Sequence, residues 1–207
     1  MKNILCFGDS NTYGYIPDGS GRYELSVRYP GVLQEILGAD YHVVEEGLCG
    51  RTTIYEDPTR YCRKAVDYIE PCLYSHFPLD CIVIMLGTND CKTVFRAQAD
   101  EIKDGLAQVI KIIRNISAVP VIIVAPILLG EKIWQDNFDP DFDRESLDVS
   151  KKLASEYKKL ATAERCLFLN AAEFAYPSEA DQEHMTPEGH KNLAAALAGI
   201  IKNMVLA

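Results

Sequence analysis

The chain has 207 residues, 48% of them hydrophobic and 25% charged, which suits one globular domain over residues 1–207 with a full hydrophobic core. A formal net charge of −9, with no run of Lys or Arg, argues against nucleic acid or an anionic membrane as a partner. No segment approaches the ~18 apolar residues of a membrane span, and Ile4–Phe7 is too short an apolar run for a secretory leader.

Apolar runs of strand length alternate with helical patterns along the chain. A first strand is expected over Asn3–Phe7, then a helix over Pro30–Leu37 whose Val32, Leu33, Ile36 and Leu37 share one side. A second strand over His42–Val44 and a third over Cys81–Leu86 follow. The next helix, Ala97–Ile116, carries Ile102, Leu106, Val109, Ile110 and Ile113 at helical spacing. A fourth strand, Val121–Ala125, precedes a helix over Asp143–Ala163, and a fifth, Cys166–Leu169, precedes one over Pro187–Val205. Five strands and about five helices in alternation imply an α/β domain, a parallel sheet covered on both faces in three layers. There is no linker, repeat or low-complexity segment.

The seven cysteines (Cys6, Cys49, Cys62, Cys72, Cys81, Cys91 and Cys166) are odd in number and form no C-x-x-C pair. That pattern fits free thiols better than a disulfide framework or a zinc site, so a cytoplasmic protein without a metal or cofactor is expected. One long irregular stretch, residues 128–145, is acidic yet carries Ile133, Trp134, Phe138 and Phe142.

In an open α/β sheet, ligands bind beyond the carboxyl ends of the strands. Gly8-Asp9-Ser10 follows the first strand, Glu45-Glu46-Gly47-Leu48-Cys49-Gly50 the second, and Gly87-Thr88-Asn89-Asp90 the third. Alone, Gly8-Asp9-Ser10 reads more readily as a turn into a helix cap. Asp181 and His184, three apart on the loop before Thr186-Pro187, shift that balance. Their spacing lets the carboxylate reach one imidazole nitrogen and leaves the other free as a base. His190, inside the last helix, reads as a packing or surface residue.

Together these groups meet the needs of acyl transfer. Ser10 is the expected nucleophile, His184 the general base and then acid, and Asp181 the orienting acid. The backbone N–H groups of Ser10 and Gly50 and the side-chain amide of Asn89 are the expected oxyanion donors. Cys49 and Cys91, which flank two of these segments, read as packing residues rather than nucleophiles.

"CFGDSNTYGY", "EEGLCGRTT", "GTNDCK" and "DQEHMTPEGH" resemble, in that order, the four sequence blocks of the SGNH hydrolase superfamily, the GDSL-type lipases and esterases. The match is nearest to the small bacterial arylesterase and acyltransferase branch. Asn11 stands in place of the leucine of the eponymous motif. Glu45 stands where many relatives carry Asn, and Gln182-Glu183 replace a common Gly-Ile. The resemblance implies a flavodoxin-like sheet in the order 2-1-3-4-5 and a serine hydrolase that cleaves short-chain acyl esters through an acyl-enzyme, with acyl transfer to alcohols. Sugar deacetylation and thioester hydrolysis are alternatives on the same triad.

Asn11, Cys49, Trp134 and Phe138 are the candidate substrate-pocket residues. The apolar side chains of residues 128–145 need burial, either over the cleft or against a second subunit, so a homo-oligomer selective for acetyl to butyryl esters is expected. Three rival readings, one enzymatic and two binding, use the same segments. Asp9, Asn89, Asp90 and His184 could ligate metals in a phosphoesterase, but histidine is scarce for such a site. A nucleotide-binding module lacks its glycine-rich signature, and a silent carbohydrate or ester binder would differ only in turnover.

Overall fold

A computed structural model of the chain describes residues 1–205. Five strands form one parallel sheet: β1 (Lys2–Gly8), β2 (Tyr41–Gly47), β3 (Cys81–Met85), β4 (Val121–Ala125) and β5 (Leu167–Asn170). Their order is β2-β1-β3-β4-β5, as the resemblance implies. Helices α2 (Tyr29–Leu37) and α6 (Pro187–Val205) cover one face, while α3 (Ala65–His76), α4 (Ala99–Ile116) and α5 (Arg144–Ala163) cover the other. A single-turn helix, α1 (Ser10–Tyr13), leads out of β1.

The side-chain alternation of each strand feeds both layers. Leu5, Phe7, Ile82, Ile84, Val121 and Ile123 join the core under α3, α4 and α5. Ile4, Cys6, Cys81, Val83, Ile122 and Val124 join the core under α2 and α6. Burial on both faces explains why these strands read as unbroken apolar runs.

Two elements differ from the sequence expectation. β2 runs on through Glu45 and Glu46, pairing with Cys6 and Phe7 of β1. The two carboxylates are tolerated at this sheet edge because Glu45 is bound by Arg28 and Arg22, and Glu46 by His76. Helix α3 escaped the apolar pattern because it buries only Ala65, Ile69, Cys72 and Leu73 and contains Pro71.

The apolar residues of 128–145 find their burial inside this chain. Ile133 and Phe142 are fully enclosed in the larger core, and Phe138 packs partly against it. Trp134, 37% exposed, lies under the Arg144 guanidinium at 3.7 Å. Three of the four residues are thus covered within the chain, while Trp134 stays partly exposed. Among the described residues no helix is long and apolar enough to cross a membrane, and all seven cysteines are unpaired.

His190 of α6 is buried, and the Tyr29 N–H donates to its Nδ1 at 3.2 Å while Nε2 has no partner. Burial, with the charge of His184, pushes its pKa down from 6.5 to about 3. An unfolded chain takes up this proton below pH 6.5 but the folded chain does not until about pH 3, so the contribution of neutral His190 is lost as pH falls between those values. The stability gap between wild type and His190→Gln, read from urea midpoints, should narrow by up to about 1.4 kcal/mol per pH unit from pH 6.5 downward. A gap independent of pH would contradict this.

Candidate active site

The site forms where β1 and β3 end. Gly8 closes β1 against the next helical turn, where a Cβ would lie 2.0 Å from Thr12 Oγ1 and 2.7 Å from the Met85 carbonyl. Asp9 caps α1 by accepting the Asn11 N–H at 3.0 Å, which places Ser10 at the first helical position, on the lip of the turn. Ser10 Oγ stands 2.8 Å from His184 Nε2, and His184 Nδ1 stands 2.6 Å from Asp181 Oδ2. Asp181 Oδ1 accepts the backbone N–H groups of Glu183 and His184, both at 3.0 Å, which fixes the carboxylate against its own loop.

Asn11 holds the two halves of this relay together. Its Oδ1 accepts the Met185 N–H at 2.9 Å and its Nδ2 donates to the Glu183 carbonyl at 3.4 Å. These bonds bracket His184. Asn11 is thus buried in the scaffold rather than in the substrate pocket where the sequence reading put it, because its amide is consumed by backbone groups.

Ser10, Gly50, Asn89, Asp181 and His184 line one cleft of about 390 Å³, with Tyr15, Pro17, Cys49, Arg60, Lys92, Asp139, Pro140 and Glu183 around them. Gly50 has φ +81°, a left-handed conformation that favours glycine, and the Asn89 amide is steadied by donating to the Arg51 carbonyl at 3.2 Å. Cys49 lies in the cleft as expected, half-buried, with its thiol pKa raised by burial. Trp134 and Phe138 do not line it. Residues 128–145 instead contribute Asp139 and Pro140, since the core claims the neighbouring aromatic ring of Phe138.

Buried charges beneath the cleft are held by specific partners. Arg51 donates to the carbonyls of Gly8 and Glu46 and lies over the Phe7 ring, tying β1 to β2 just below Ser10. Asp90 accepts from Thr53 N at 2.9 Å and from Thr53 Oγ1 at 2.5 Å, and burial lifts its pKa to about 7. Lys92 bridges Asp57 at 3.1 Å and Asp141 at 2.8 Å, clamping the loop before α3 to residues 128–145. Burial would raise the Asp57 pKa, but hydrogen bonds from Thr59 and Lys92 outweigh it and hold the group at about 2. Asp90 and Lys92 sit in the "GTNDCK" block, so their position was visible in the sequence; their partners were not.

Electrostatics act on His184. Burial alone would lower the His184 pKa, yet the charge of Glu183, the hydrogen bond and charge of Asp181, and Asp9 more distantly raise it above its ordinary value. The Tyr15 ring covers the imidazole at 4.6 Å between centroids. Burial lifts Asp9 to about 6 and Glu183 to about 7.

Comparison with known proteins bears directly on this geometry. The sequence profile of the GDSL-like Lipase/Acylhydrolase family matches residues 6–192, spanning all four blocks. The chain belongs to this family. A solved aryl esterase of M. smegmatis is 33% identical, with a TM-score of 0.92 over 98% of this chain and 99% of that one. Est24, a carbohydrate acetylesterase from Sinorhizobium meliloti, is 32% identical, with a TM-score of 0.91 over 99% of this chain and 100% of its own. An acetylxylan esterase of Xylanibacter ruminicola is 26% identical over 96% of this chain but only 43% of its own length, so the chain spans less than half of that relative. The family and these esterases point to carboxylic ester hydrolysis.

Lys92→Met leaves Asp57 buried without its cation and frees Asp141 from the clamp. The variant should lose about 3–5 kcal/mol of stability, seen as a lowered urea midpoint, and limited proteolysis should open new cuts within residues 128–145. An unchanged midpoint with an uncut loop would show that the bridge holds nothing. Asp57→Asn provides the milder check if Lys92→Met does not fold.

Proposed function

We propose that this chain is a serine esterase that cleaves small acyl esters through an acyl-enzyme on Ser10, with alcohols able to replace water as acceptor. The observation that carries this reading is the relay from Ser10 Oγ to His184 Nε2 and on to Asp181 at hydrogen-bond distances. His184 takes the Ser10 proton as Oγ attacks the ester carbonyl carbon. The resulting oxyanion meets the Ser10 and Gly50 N–H groups and the Asn89 amide. When the carbon–oxygen bond breaks, His184 Nε2–H protonates the departing alcohol. Water, or a second alcohol, then gives its proton to His184 and attacks the acyl carbon, and as the acyl–Oγ bond breaks His184 returns that proton to Ser10 Oγ.

The lining supports short acyl groups and a hydrophilic alcohol half. The cleft holds Arg60, Lys92, Asp139, Asp181 and Glu183 beside few apolar side chains, leaving little surface for a long acyl chain. Deacetylation of a saccharide is the second reading, supported by this polarity and by the carbohydrate acetylesterase likeness.

With 4-nitrophenyl acetate, Ser10→Ala and His184→Ala should each remove most of kcat, and the double variant should lose little more, because both act in one proton-transfer step. Additive losses would separate them. Only neutral His184 accepts the serine proton, so kcat/KM should fall as pH drops, with its acid limb above the ordinary imidazole value of 6.5. A rate flat through that range would exclude His184 as the base. Across a series of 4-nitrophenyl esters, kcat/KM should be greatest from acetyl to butyryl and decline about tenfold or more by octanoyl. Equal use of long chains would overturn the short-acyl assignment.

A further inference from the structure

One cleft residue has no part in the relay and no partner of its own. Glu183 sits between Asp181 and His184, is only 7% exposed, lines the cleft, and its carboxylate makes no hydrogen bond among the described residues. Its one charged neighbour within ion-pair range is His184 Nδ1 at 3.8 Å, a nitrogen already engaged by Asp181 at 2.6 Å. Neither oxygen is among the enclosed polar atoms of the described residues, so the carboxylate opens to the cleft, where a ligand can supply the partner that the protein does not.

The surroundings define that ligand's charge. Asp181 lies on the same loop, Asp9 on the nucleophile turn and Asp139 on the opposing loop, and all three add negative potential at Glu183. Of the cleft's cationic side chains, Lys92 is matched by Asp57 and Asp141, and Arg60 packs against Gly50 on the oxyanion side. The Tyr15 ring adds an aromatic face beside His184. Two carboxylates and an aromatic ring around one space favour a cation.

The catalytic cycle says which half of the substrate meets this corner. His184 Nε2 must deliver its proton to the leaving oxygen, so the alcohol half departs past the imidazole into the cleft that Glu183, Asp139 and Tyr15 share with it. We propose that Glu183, with Asp139 and Tyr15, selects esters whose alcohol carries an ammonium group a short distance from the ester oxygen. This rests on the esterase reading above for its orientation. Glu183 is a specificity residue that binds the departing alcohol, and the acidic chain as a whole steers such substrates to it. Burial raises the Glu183 pKa to about 7, so recognition weakens as pH falls through that value and the carboxylate gains a proton.

The test compares acetylcholine with its uncharged isostere, 3,3-dimethylbutyl acetate, at low salt and pH 8. Wild type should favour the cation by about tenfold in kcat/KM, Glu183→Gln should bring the ratio near unity, and Glu183→Asp should keep part of it. The preference should shrink below pH 7. In parallel, choline binding is followed by NMR shift titration of Ser10→Ala protein, and adding Glu183→Gln should weaken it about tenfold. Equal use of both esters by wild type, or a preference that survives Glu183→Gln, overturns the proposal. So does a Glu183→Gln loss confined to the neutral polyol ester glycerol triacetate. Glu183-dependent choline binding without hydrolysis of either ester supports the cation site and sinks the esterase reading instead.

Discussion

The site depends on a junction between two segments 174 residues apart in the chain, joined where Asn11 Oδ1 accepts the Met185 N–H. Ser10 belongs to a turn at the end of β1, and His184 belongs to the loop before α6. Neither can be placed by local conformation alone. Asn11 converts the packing of these separate elements into a set distance between Ser10 and His184, because one planar amide binds backbone on both sides of the histidine.

Around that junction the fold concentrates negative charge and leaves it unevenly compensated. Asp181 receives two backbone N–H groups as well as the imidazole, so its oxygens are fully partnered. Asp9 has one oxygen bonded and one without a partner, and Glu183 has neither oxygen bonded, so burial raises both. The carboxylates together favour the imidazolium that forms when His184 takes a proton. On the proposed mechanism, this would help the tetrahedral step and move the working range toward higher pH.

The scaffold keeps this cluster from collapsing or opening. Arg51 joins the carboxyl ends of β1 and β2, and Lys92 joins two loops over the cleft floor. Gln182 adds a third tie: its carbonyl accepts the Gly130 N–H at 2.7 Å and its side chain accepts from Lys132 N. Residues 128–145 are thereby fastened to the loop that carries His184. The hydrophobic burial of Ile133 and Phe142 acts in the same direction.

Periodicity and strand-end chemistry made much of this protein legible. Continuous apolar runs identified β1, β3 and β4 because these inner strands are buried on both faces, the edge strands β2 and β5 showed as shorter runs, and helices with strong one-sided patterns, such as α4, emerged within about two residues of their ends. Ser10, Asp181 and His184 were recognisable because strand-end turns and an Asp-x-x-His loop are local features. The weakly patterned α3 was not, nor was the extension of β2 through Glu45 and Glu46, which depends on Arg28 and His76 arriving from elsewhere. The destinations of Asn11, Trp134 and Phe138 were likewise undetermined, since a side chain's choice between core, cleft and solvent depends on what packs against it. Local chemistry and hydrophobic period are written along the chain; which buried charge meets which partner is decided only when distant segments close on one another, because Coulomb and hydrogen-bond energies depend on separation in space rather than in sequence.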